Sequence, residues 1–139
     1  MPDLDRFITA QEPVLATVLA ELRAGRKQTH WMWFVFPQLA ALGRSPTAKF
    51  YGLAGLDDAR AYLDHPVLGP RLRTCTQLVN AVEHRTARDI FGSPDDLKFR
   101  SSVTLFQHVA PEEATFAEAL RKYYGGITDA RTLQLLDDS

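Results

Sequence analysis

Apolar residues recur at helical spacing along almost the whole chain. Val14, Leu15, Val18, Leu19 and Leu22 share one face of a predicted helix, with Pro13 suited to its first turn and Gly25 placed to end it. A short helix from Asp5 to about Gln11 precedes it. Leu68, Leu72, Cys75, Val79 and Val82 step by four, three, four and three, the cleanest amphipathic stripe in the sequence. Phe99, Val103, Phe106 and Val109 form a further apolar face. Punctuation supports the periodicity: Ser45 before Pro46, Thr86 before "ARDIF" and Asp129 before "ARTLQLL" read as helix caps. "PEEATFAEALRKYYGG" opens on acids and closes on bases and glycines, matching the helix dipole at both ends. No segment alternates with period two convincingly. The pattern predicts an all-α fold, one compact domain over residues 1–139, with about seven or eight short-to-medium helices in an irregular orthogonal bundle.

The stretch "THWMWFVFPQ" (29–38) is apolar all round, which implies burial on every side. As a strand it would split Trp31, Trp33 and Val35 from Met32, Phe34 and Phe36. Its helical neighbours favour a short buried helix, with Thr29 available as a cap and Pro37 ending it.

Composition narrows the class of protein. At 45% hydrophobic and 24% charged, the chain sits near globular averages, so disordered and fibrous classes drop out. A formal net charge of −1 supplies no overall field for nucleic acid or an anionic membrane, and neither is an expected partner. The one cysteine, Cys75, has no intrachain partner, and "MPDLDRF" has acids where a secretory signal carries bases. The longest apolar run, 31–37, is far short of the roughly 20 residues that cross a bilayer. A cytoplasmic, soluble protein is therefore expected.

The sequence holds no phosphate-binding GxxxxGK[ST] loop, Gly-rich dinucleotide fingerprint, HExxH, CxxC or GxSxG. No metal or cofactor is expected. Three clusters could carry chemistry. In the aromatic stretch, Trp31 and Trp33 either fill the core or stack a flat ligand, while His30 and Gln38 at its ends are the better functional candidates. In "DDLKFRSSVTLFQH" (95–108), Lys98 lies three and four residues from Ser101 and Ser102, and Ser101, Thr104 and His108 share a stripe. A lysine beside hydroxyls can bind an anion or activate a serine; the alternative is an ordinary solvated face. In "DHPVLGPRL" (64–72), Asp64 adjoins His65 and Arg71 could clamp an anion, or the segment is simply a corner between helices. Three basic spots, 25–27, 71–73 and 85–88, are scattered and balanced by acids.

"GRKQTHWMWFVFPQL", "DARAYLDHPVLGPRL", "FGSPDDLKFRSSVTLF" and "GGITDARTLQLL" together resemble one bacterial family of unknown function, numbered eighteen-ten, some of whose members carry a calpastatin label. The resemblance runs from about Leu4 to Leu136. It implies a compact, mostly helical monomer and no particular activity. The calpastatin label conflicts with composition, since that inhibitor is a disordered chain and this sequence folds. The family's recurring polar positions map onto His30, Gln38, Ser45, Tyr51, His65, Arg71, Lys98, Ser101, Ser102 and Thr104, and leave out His108.

The reading that follows is a pocket in which Lys98, Ser101 and Ser102 face the 30–38 segment. Trp31 or Trp33 would stack a planar group, and Lys98, helped by Arg71, would neutralise a phosphate or carboxylate. Gln38, Tyr51, His65 and Thr104 would complete the binding set. The expected ligand is small and anionic or nucleotide-like, ADP-ribose-type compounds included. Were it an enzyme, His30, Lys98 and Ser101 would be its catalytic groups, with His30 as general acid or base. The alternative is a non-enzymatic module that binds a protein through an exposed aromatic surface, its motif residues serving fold stability.

Overall fold

Local signals set most of the helix boundaries in the computed structural model, which describes residues 3–137. Helix α1 (Asp5–Gln11) leads into α2 (Leu15–Ala24), which ends at Gly25 in the left-handed region at φ 71°. The aromatic segment forms α3 (Met32–Val35), and a 3-10 turn (Ala40–Leu42) follows. Ser45 Oγ accepts the Ala48 N–H at 3.1 Å and starts α4 (Pro46–Phe50). Then come α5 (Leu56–Asp64), α6 (Leu68–Ala81) and α7 (Ala87–Phe91), the last opened by a reciprocal capping box between Thr86 and Asp89. The chain closes with α8 (Asp95–Val109), α9 (Ala114–Tyr124) and α10 (Ala130–Asp137). Ten α-helices thus lie among the described residues. They are more than the seven or eight expected, and three of them, α3, α4 and α7, are pieces of only four or five residues.

Helix α8 is the axis of the fold, packing against α5, α7, α9 and α10. Its middle, 101–106, is buried on all sides: Val103 and Phe106 are covered, and so are Ser101, Ser102 and Thr104, while Leu97 and His108 towards its ends are exposed. The solvated hydroxyl face weighed from spacing is therefore absent, because α10 packs where it would have met water. The stripe on α6 faces the core as its period predicts, with Leu68, Leu72, Cys75 and Val79 all buried. Cys75 is 1% exposed, and burial pushes its thiol up to about 12. Native protein at pH 8 should leave this thiol unlabelled by a maleimide and release it only in denaturant; fast native labelling would contradict the packing.

Two polar devices fix the aromatic segment. Buried Gln11 donates from Nε2 to Phe34 O at 2.7 Å and to Tyr62 Oη at 3.1 Å, while its Oε1 accepts from Arg71 at 3.2 Å. Buried Glu21 accepts from Gln28 N, Thr29 N, Thr29 Oγ1 and Trp31 Nε1. Thr29 therefore does not cap α3: its hydroxyl proton goes to Glu21, and Trp31 stands at the cap position without a side-chain bond. Beyond Pro37, Gln38 O accepts from Leu53 N and Leu53 O accepts from Ala40 N, an isolated parallel bridge that holds Gln38 beside the 52–53 turn.

Candidate functional site

A cleft of about 730 Å³ opens where α3, the 42–45 loop, α4, α8 and the start of α10 meet. Trp33 and Gln38 line one side of it; Lys98 and Ser101 on α8 line the other, one helical turn apart. Arg44 and Ser45 stand at the loop edge, and Asp129 and Arg131 at the α10 edge. A narrow crevice continues inward between Met32, Trp33, Phe36, Gln38 and Tyr51, with Lys98 at its mouth.

Lys98 Nζ sits 5.1 Å from the centroid of the Trp33 ring and 3.4 Å from Asp95 Oδ1. Asp95 is shared: its Oδ2 meets Lys27 Nζ at 2.9 Å, and Lys27 in turn lies over the Trp31 ring at 5.1 Å. Lys27 is the more buried and closer partner of Asp95, and Lys98, the more exposed one, also lines the cleft. The Gln38 amide makes no hydrogen bond to any described residue, so donor and acceptor are both available. The single Ser101 Oγ proton is shared between Leu97 O and Asp129 Oδ2, each at 3.2 Å.

The sequence-derived candidates divide in two. Trp33, Gln38, Lys98 and Ser101 line the cleft, and Tyr51 lines its inner crevice. The others lie elsewhere, each for a physical reason. Trp31 is 1% exposed with its indole N–H on Glu21, which leaves no face to stack a ligand. His30 is exposed and outside the cleft, since the chain turns into α3 only after it. His65 Nδ1 accepts the N–H groups of Val67 and Leu68 at the start of α6, a capping role. Arg71 holds Gln11 and forms an ion pair with Glu12 at 2.7 Å. Ser102 is fully buried and its Oγ has no hydrogen-bond partner among the described residues. Thr104 Oγ1 accepts the Asp129 N–H at 3.0 Å and fixes the approach to α10. Of the aromatics the alternative reading relied on, Trp33 is half-buried, while Trp31, Phe34 and Phe36 are buried together with Met32 and Val35.

Periodicity missed Arg44, Arg131 and Asp129. The two arginines are exposed, Arg44 in a loop and Arg131 in the first turn of α10, and carried no signal. Asp129 was legible as a cap but not as a cleft residue.

Among the described residues the fold is all-helical but for one isolated bridge. The chain belongs to the family described as "Protein of unknown function (DUF1810)", whose profile matches residues 1–136. It is similar to the conserved hypothetical protein Rv1873 from Mycobacterium tuberculosis, known from a crystal structure at 1.38 Å. The two share 56% identity over 97% of this chain and 96% of the other, with a TM-score of 0.96. No curated protein matches the sequence. Among the described residues, no helix is long and apolar enough to cross a membrane.

Proposed function

We propose that the cleft binds a small anionic, nucleotide-like ligand. One observation carries this reading: Arg44, Lys98 and Arg131, from three separate elements, border one cleft whose only lining carboxylate among the described residues is Asp129. Three cations against that one carboxylate leave the cleft an excess of positive charge, which suits an anion. Lys98, held by Trp33 and Asp95, meets the phosphate or carboxylate, and the arginines at the rim add bidentate contacts. Lys98 already covers one face of Trp33, so the ring serves as an apolar wall there and not as a stacking platform. The free Gln38 amide at the inner end suits the edge of a heterocycle.

Binding is favoured over catalysis. No histidine among the described residues lines the cleft, and the Ser101 proton is engaged by Leu97 O and Asp129.

The test is thermal unfolding of wild type and Lys98→Met against AMP, ADP-ribose, ribose 5-phosphate, pyrophosphate and succinate. A ligand at about 100 times its Kd adds about 2.7 kcal/mol, which for a chain of this size raises the midpoint by roughly 8 °C. Expected is a rise in wild type that Lys98→Met loses. An equal rise in both proteins, or none with any compound, would remove the pocket reading.

A further inference from the structure

Asp129 is out of place in a site built only for an anion. It stands in the same cleft as Arg44, Lys98 and Arg131, where its charge repels any ligand made solely of acceptor oxygens. Its position is tightly built. The backbone N–H donates to Thr104 Oγ1 at 3.0 Å, and the side chain accepts from Ser101 Oγ at 3.2 Å, from Thr132 N at 3.1 Å and from Thr132 Oγ1. All three side-chain bonds fall on Oδ2, from partners that are themselves buried. Oδ1 makes no hydrogen bond to any described residue. One oxygen is thus consumed by the fold, capping the start of α10, and the other is an unpaired acceptor on a residue that lines the cleft.

We propose that Asp129 Oδ1 receives sugar hydroxyls, so that the ligand class is a phosphorylated ribose, free or within a nucleotide. This deepens the pocket reading above and rests on it. The chemistry demanded is a ligand that carries O–H donors close to its anionic group. Hydroxyls satisfy the carboxylate while the phosphate takes the three cations. A bare polyanion or a dicarboxylate meets the same cations but leaves Asp129 repelled and unpaired.

The experiment compares AMP, 2′,3′-dideoxy-AMP and pyrophosphate by isothermal titration calorimetry on wild type and Asp129→Asn. Asparagine keeps one oxygen for Thr132 and Ser101 and puts an N–H donor where Oδ1 stood. Wild type should prefer AMP to its dideoxy analogue by roughly tenfold. Asp129→Asn should lose that preference and bind pyrophosphate at least as tightly as wild type, because a repelling charge is gone. Opposite signs for the two ligands separate a binding role from mere support of the fold, which would weaken both alike. Ribose 5-phosphate, run alongside, tells the free sugar phosphate from the nucleotide; both carry the hydroxyls, and binding of either supports the proposal. Equal wild-type affinity for AMP and dideoxy-AMP, or a uniform loss in Asp129→Asn, would overturn it while leaving the anion pocket standing. If wild type binds none of the probes, the pocket reading fails and this proposal fails with it.

Discussion

Glu21→Ala lowers the stability of the fold by roughly 3 kcal/mol, a drop of about 10 °C in Tm by calorimetry. Glu21 is 9% exposed and its carboxylate takes four donors: Gln28 N at 2.8 Å, Thr29 N at 3.1 Å, Thr29 Oγ1 at 2.8 Å and Trp31 Nε1 at 2.9 Å. Gln28 and Thr29 are exposed and can turn to water once the carboxylate is gone. The Trp31 indole cannot, being 1% exposed, so its N–H is left unpaired inside the core. The pH dependence has a definite sign. Burial alone would raise the Glu21 carboxyl, but the bonds from Gln28, Trp31 and Thr29 outweigh it and hold the group below its ordinary value of 4.5. A depressed carboxylate contributes stability that is present above the unfolded value and lost as pH falls through the folded one. The gap between wild type and Glu21→Ala should therefore be constant from neutrality down to about pH 5.5 and close in stronger acid. Urea denaturation of both proteins across that range measures it; a gap that widens towards acid would mean the carboxylate is not the group that matters.

The helices were legible in this sequence because their signals are local. The α6 stripe, the Thr86 capping box and the Gly25 stop each need only residues within a turn or two of one another. The site was half legible. Lys98 and Ser101 are neighbours on one helix, but the link to Trp33 and Gln38 rests on the family resemblance and not on any spacing. Arg71 illustrates what spacing cannot carry. It lies near the head of an amphipathic helix where an anion clamp is reasonable, yet its partners Gln11 and Glu12 are 60 and 59 residues away. No local pattern encodes that pairing. The hydroxyls of α8 show the converse: Ser101, Ser102 and Thr104 look solvated by type, but they fall in the stretch of α8 that neighbouring helices cover.

Gly69→Ala should destabilise the protein by about 3 kcal/mol or more, despite placing a better helix former in α6. Two effects compete. Alanine in a helix interior gains about 1 kcal/mol over glycine in propensity. Against this, a Cβ on Gly69 would lie 2.1 Å from Leu63 O and 3.1 Å from Leu63 C, both backbone atoms, with Arg73 Nη1 at 3.0 Å. A side chain could rotate away; the carbonyl of a 3%-exposed residue in the last turn of α5 cannot. The corner is further pinned by the Gly69 N–H on His65 O at 3.0 Å and by His65 Nδ1 on Val67 and Leu68. Relief of the clash requires α5 and α6 to separate, which opens the core at Leu68 and Leu72, so the steric term wins over propensity. Gly55→Ala is the matched control: nothing lies within 4 Å of its Cβ and its backbone is extended, so the change stays within about 1 kcal/mol. Urea midpoints for the two variants decide the point. A Gly69→Ala protein as stable as wild type would mean that the α5–α6 corner yields, and that the glycine of "HPVLGPRL" is not there to let two backbones touch.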